Sequence, residues 1–147
     1  MFSENIILTL PKPGPDPVRQ EAPHEHQAIL DPTGRFVLVP DLGSDLVRVF
    51  SFDLQEGILI AETPLSLAPG SGPRHAAFYQ PYGAACPTCT SFLYVVAELG
   101  NTVTGYAVTY PEHGGMAFEE IYSNSVYGNL TLPEGNAPAE IAVSVRY

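Results

Sequence analysis

A chain of 147 residues, 45% of them hydrophobic, is long enough to bury a sizeable core and too apolar for general disorder. Its 16 acidic residues against 6 basic ones give a formal charge of −10, which excludes a nucleic-acid or anionic-membrane surface built from clustered Lys and Arg. Aromatic and β-branched residues, punctuated by 15 Pro and 13 Gly, point to many short strands joined by turns.

The opening MFSENIILTL has an acid and no basic n-region, so it does not read as a signal peptide, and no apolar run reaches the ~18–20 residues of a membrane span. A cytoplasmic protein is the expectation. Ile6–Leu10 reads as a strand, the last of a preceding unit. Residues 11–23 (PKPGPDPVRQEAP) form a proline-rich connector suited to an extended crossing over a surface. Strands are then predicted at Gln27–Leu30, Arg35–Pro40, Leu46–Phe52 and Ile58–Leu67, the last weakened by Pro64. Asp31-Pro32-Thr33-Gly34 and Asp41–Asp45 are the turns between them. The same plan recurs at His75–Tyr79, Phe92–Ala97, Thr102–Tyr110 and Ala117–Tyr122, and residues 123–138 make a long connector.

Two short motifs carry little chemistry. Cys86-Pro87-Thr88-Cys89 is a single CxxC with neither a βαβ context for redox work nor two further zinc ligands. It sits where the second copy is longer, and reads as a hairpin tip with a local disulfide or free thiols. Asn129-Leu130-Thr131 fits a glycosylation acceptor, which has meaning only in a secreted protein.

The chain repeats itself. HQAILDPTGRFVLVPDLGSDLVRVFSFD, from His26, and RHAAFYQ…SFLYVVAELGNTVTGYAVTY, from Arg74, align with small gaps, and a third copy opens at Ala139. Ala28 lies over Ala76, Phe36 over Leu93, Asp41-Leu42-Gly43 over Glu98-Leu99-Gly100, and Val47 over Val103. The first interval suits propeller repeats of ~40–50 residues, and the second carries an insertion. The expected fold is all-β: four-stranded antiparallel blades of a partial β-propeller. A preceding blade and connector fill 1–25, blades fill 26–73 and 74–138, and 139–147 starts the next. A β-sandwich would also explain alternating strands and turns, but not the likeness of the copies. Closing a ring takes ~4–8 blades, so a piece of a longer array is expected.

In this alignment His26, Arg74 and Ala139 are equivalent, as are Asp41 and Glu98, so an imidazole, a guanidinium and carboxylates converge from separate blades. Histidine titrates near neutrality, arginine grips a phosphate or carboxylate with paired hydrogen bonds, and a carboxylate orients or exchanges a proton. In so acidic a chain an anionic ligand needs a local cation, and Arg19, Arg35, Arg48, Arg74 and Arg146 are the guanidiniums available. The competing reading makes Asp41 and Glu98 solvated turn residues and Arg74 the partner of a neighbouring acid.

The segments HEHQAILDPTGRFVLVPDLGSDLVRVF, GSGPRHAAF and FLYVVAELGNTVTGY resemble the lactonase family of seven-bladed propellers, which includes bacterial-type 6-phosphogluconolactonases and fungal 3-carboxy-cis,cis-muconate cyclases. The resemblance covers residues 23–110 and continues weakly through Ala139–Ser144. It implies that His26, with His24 before it, matches the family's HxHQ motif, Arg74, with His75 beside it, its GPRH motif, and Glu98 its EL motif. His26 and Glu98 are then catalytic, and Arg74, His24 and His75 bind substrate. A further family arginine, from a later blade, has no match here, and Arg146 lies too early in the third copy to supply it. The implied chemistry is hydrolysis of a sugar-acid lactone such as 6-phosphogluconolactone, or cyclisation of a muconate, on a small anionic substrate. Neither calls for a metal or an organic cofactor. A non-catalytic interaction scaffold is the third reading, because fold alone does not settle function.

Overall fold

The computed structural model describes residues 6–10, 13–53, 55–81 and 90–144. Two antiparallel sheets dominate them. The first is a meander of β1 (Ile29–Leu30), β2 (Phe36–Asp41), β3 (Leu46–Asp53) and β4 (Ile58–Ala61), with β5 (Leu65–Ser66) returning to the start of β3. The second is β6 (Pro73–Tyr79), β7 (Ser91–Ala97), β8 (Thr102–Thr109) and β9 (Ala117–Ser125), again in sequence order. The predicted strand Ile58–Leu67 is thus two strands. Pro64, which has no N–H to donate, lies in the break.

Pleat alternation sends one side of each sheet into a shared core. Phe36, Leu38, Val47 and Val49 of the first sheet pack with Ala76, Leu93, Val95, Tyr106 and Val108 of the second. Phe92 and Tyr94, of opposite parity on β7, are half-buried. Consecutive meanders stacked face to face are blades of a partial propeller, and the chain is all-β. In the sandwich alternative nothing would require each sheet to be one unbroken run of successive strands.

A polar latch joins the blades at one end of this core. The Asp31 carboxylate accepts from the backbone N–H groups of Thr33, Arg35 and Phe36 at 2.8–2.9 Å, shaping the β1–β2 turn. It also accepts from the Tyr110 hydroxyl at 2.9 Å. Tyr110 stacks on Phe36, and the Arg35 guanidinium lies 5.2 Å from the Tyr110 ring centroid. Burial and the bond to Asp31 push the Tyr110 phenol well above its ordinary pKa.

The ladders correct the alignment of the copies. Ile29 faces Leu38 and Leu38 faces Val49, while Ala77 faces Tyr94 and Tyr94 faces Gly105. Leu38 therefore corresponds to Tyr94, one residue away from the sequence alignment. Asp41 pairs with Glu25 and Leu46, and Ala97 pairs with Pro73 and Thr102. Asp41 thus corresponds to Ala97, and Glu98 corresponds to Leu42. The hydrogen bonds agree: Leu42 N–H donates to the His24 carbonyl at 2.9 Å, and Glu98 N–H to the Gly72 carbonyl at 2.8 Å. His26 and Arg74 each follow one residue after the paired Glu25 and Pro73.

Three other segments differ from the predicted elements. Ile6–Leu10 joins no ladder among the described residues, and the Thr9 carbonyl accepts from Arg48 at 3.4 Å. Residues 139–144 form no strand either. The connector is not simply extended. Asp16 and Pro17 start a tight turn, as an N-cap acid followed by proline favours, and Gln20 N–H closes it on the Asp16 carbonyl at 2.8 Å. Gln20 is fully buried, and its Nε2 donates to the Leu42 carbonyl and to Asp45 Oδ1 at 2.9 and 2.8 Å. Cys86, Cys89 and Arg146 lie outside the described residues.

The connector presses closely on the β2–β3 turn. A Cβ added to Gly43 would stand 1.7 Å from the Ala22 carbonyl oxygen, which is backbone and cannot swing aside. Gly43→Ala is expected to lower stability by about 1–3 kcal/mol, read as a shift in the denaturant midpoint at unchanged slope.

Candidate active site

The site forms where the connector, β6 and the β7–β8 turn meet. Glu98 follows the last residue of β7, at the first position of that turn, and is 4% exposed. Both of its carboxylate oxygens are taken by guanidinium groups: Arg19 Nη2 donates to Oε1 and Arg74 Nη1 to Oε2. Burial by itself would raise the Glu98 pKa. The hydrogen bonds and charges of the two arginines outweigh it and hold the carboxyl below its usual value, so it is ionised at neutral pH.

Arg74 sits in β6 at a bulge, where the pairing register shifts between Pro73 and His75. Such a bulge re-aims a side chain. Its Nε is buried without a hydrogen-bond partner among the described residues, beside a donor already spent on Glu98. His26 occupies the equivalent place in the first blade, its N–H donating to the Pro40 carbonyl at 3.3 Å. Desolvation first, then the positive charge of Arg74, lowers its pKa below the ordinary 6.5, and Glu98 opposes them in part. Its imidazole is therefore mostly neutral at neutral pH. Gln27 fastens this pair of blades together, since its Oε1 accepts from Ala76 N–H at 2.7 Å, two residues beyond Arg74.

Two further histidines, His24 and His75, stand beside carboxylates. His24 Nε2 lies 3.0 Å from Glu21 Oε1, and His75 Nδ1 lies 2.9 Å from Glu140 Oε1, the second pair out of hydrogen-bond alignment. Asp41 does not join the site. Fully buried, it accepts from His24 N–H, from Ser44 N–H and Oγ, and from Arg48 Nε, capping the 3-10 turn Leu42–Ser44. The structure also adds a residue that the sequence reading left among the spare cations. Arg19 comes from the connector, 79 positions before Glu98. The Asp16-Pro17 pair was the local signal for the turn that carries it.

A folded-state pKa below the unfolded one means that the Glu98 contacts contribute stability above its unfolded pKa, near 4.5, and that this is lost as pH falls through the folded value. Glu98→Gln is expected to cost about 1–2 kcal/mol at neutral pH, a figure reduced by the exposure of Arg19. Urea unfolding followed across the acid range should show a smaller stability loss toward low pH in the variant than in the wild type.

Comparison with known proteins places this geometry. The sequence profile of the Lactonase, 7-bladed beta-propeller family matches residues 3–146. A probable 6-phosphogluconolactonase of Arthroderma benhamiae is 43% identical over 126 residues, 86% of this chain and 29% of that protein. The 6-phosphogluconolactonase of Bacillus subtilis is 38% identical over 58% of this chain and 22% of its own length. Among solved structures, a putative 6-phosphogluconolactonase from Bacteroides fragilis superposes with a TM-score of 0.59 at 30% identity, over 77% of this chain and 30% of the other. The chain thus spans under a third of the length of these relatives. With a family profile covering nearly all of it and two stacked four-stranded blades, this chain belongs to the lactonase family of seven-bladed β-propellers.

Proposed function

We propose that these residues supply part of the active site of an enzyme that hydrolyses a sugar-acid lactone, of the 6-phosphogluconolactone type. The observation that carries this reading is the pairing of Arg74 with a buried, ionised Glu98 next to a histidine held neutral. The names of the fungal and Bacillus relatives favour hydrolysis over cyclisation of a muconate.

The roles follow from charge and occupancy. His26 is the general base: it takes a proton from water as the water oxygen attacks the lactone carbonyl, whose π pair moves onto oxygen. Collapse of that tetrahedral oxyanion re-forms the carbonyl and breaks the ring C–O bond, and the imidazolium returns its proton to the departing ring oxygen. Arg74 grips the anionic group of the substrate or the oxyanion with the donors that Glu98 leaves unused. Glu98, assigned a catalytic role by the resemblance, is better described as a positioning residue, because both its oxygens are engaged and it is a weak base. His24 and His75, each beside a carboxylate, take lesser binding roles at the rim.

In the full-length protein, Arg74→Ala is expected to lower kcat/KM for lactone hydrolysis by about 10²–10³ and His26→Gln by about 10²–10⁴. Turnover equal to wild type in both would overturn the assignment. Because His26 must be neutral, kcat/KM should fall on the acid side with a midpoint below the ordinary histidine value of 6.5. A pH–rate profile checks this, and the acid limb should be missing from the His26→Gln profile.

A further inference from the structure

The guanidiniums of this acidic chain are unequally committed. Arg35 lies over Phe36 and Tyr110, with Nε on Thr33 Oγ1 at 3.1 Å. Arg48 is held by Asp41 and Ser44, and its side chain is 15% exposed. Arg19 and Arg74 instead share the single carboxylate of Glu98, with Asp16 and Glu21 within charge range of Arg19 and Glu140 within charge range of Arg74. The Arg19 side chain is 44% exposed. A guanidinium carries five N–H donors, and the Glu98 contact uses one of them.

The connector is constructed to deliver that group. Asp16 Oδ1 accepts from Val18 and Arg19 N–H at 2.9 and 3.0 Å. The next residue, Gln20, is wholly buried and tied to Leu42 and Asp45. A Cβ on Gly14 would meet Gln20 at 2.6 Å, so the loop closes tightly over its anchor. Arg19 is thereby set beside Arg74, with Glu98 as the spacer between two like charges.

Building on the lactonase reading above, we propose that Arg19 is a specificity-determining residue that, together with Arg74, receives the phosphate of a phosphorylated lactone. A guanidinium fork pairs with phosphate as readily as with carboxylate, and a phosphate dianion has three terminal oxygens to share between two such groups. A purely structural Arg19 would do no more than fasten the connector to the second blade.

The test compares KM for 6-phosphogluconolactone and for unphosphorylated gluconolactone in the full-length protein and in Arg19→Gln and Arg19→Lys. Arg19→Gln is expected to raise KM for the phosphorylated lactone about ten-fold more than for the unphosphorylated one, with Arg19→Lys in between. An equal rise for both lactones, or none, overturns the proposal. Where Arg19→Gln does not fold, Arg19→Lys, which keeps the charge, supplies the same comparison. If the full-length protein hydrolyses neither lactone, the lactonase reading itself fails, and calorimetric binding of inorganic phosphate decides the role of Arg19. Weaker phosphate binding in the variant supports it; binding equal to wild type, or none in the wild type, overturns it.

Discussion

A carboxylate buried between two guanidiniums is the constraint around which this site is arranged. Glu98 has left water, and a lone charge in that position would be costly. Arg19 and Arg74 offset that cost from two directions, one from the connector and one from the first strand of the second blade. Each partner is fixed in turn by the other's need. The connector cannot drift without uncovering Glu98, and β6 cannot flatten its bulge without withdrawing Arg74. The result is a pair of guanidiniums gathered on one buried carboxylate, in a protein of formal charge −10.

The contrast with Asp41 shows how little separates a structural acid from one in a candidate site. Asp41 is the last residue of the second strand of its blade, and Glu98 is the first residue beyond that strand in the other. Asp41 is still paired in β2, so its oxygens lie within reach of Ser44, the His24 N–H and Arg48, and they cap a 3-10 turn. Glu98 falls one step later, and its longer side chain reaches past the turn to the cations. The first blade uses Leu42 at the step where the second has Glu98, and Leu42 is buried.

The blades are coupled by side-chain hydrogen bonds across the shared core. Asp31 accepts from Tyr110, and Gln27 accepts from Ala76 N–H, close in sequence to the His26 and Arg74 positions. Asp45 ties the connector to the link between the sheets, accepting from Gly70 and Gly72 N–H and from Gln20. Asp45 and its counterpart Asn101 both adopt the left-handed conformation, at φ of 54° and 53°, as short polar side chains tolerate. These links set the separation of residues that lie far apart in the chain, a site geometry no single blade could define.

Much of this was legible in the residues themselves. Alternation of apolar side chains located the strands, because a pleated strand with a buried face needs that period, and the repeat of the pattern announced the blades. The likeness of DLG to ELG misled by one residue, because similarity of letters does not report which residue is still hydrogen-bonded in a ladder. The role of Arg19 was illegible for another reason: a proline-rich linker read by composition says nothing about a turn closed by Asp16 and anchored by a buried Gln20. The amino-acid sequence by itself determined the all-β class, the blade period and the residue types able to bind an anion, since these depend on local periodicity and charge. Tertiary structure alone decided which acid is buried and which cations meet it, because those pairings arise from side chains 24 and 79 positions apart, brought together by stacking of the sheets and closure of the connector.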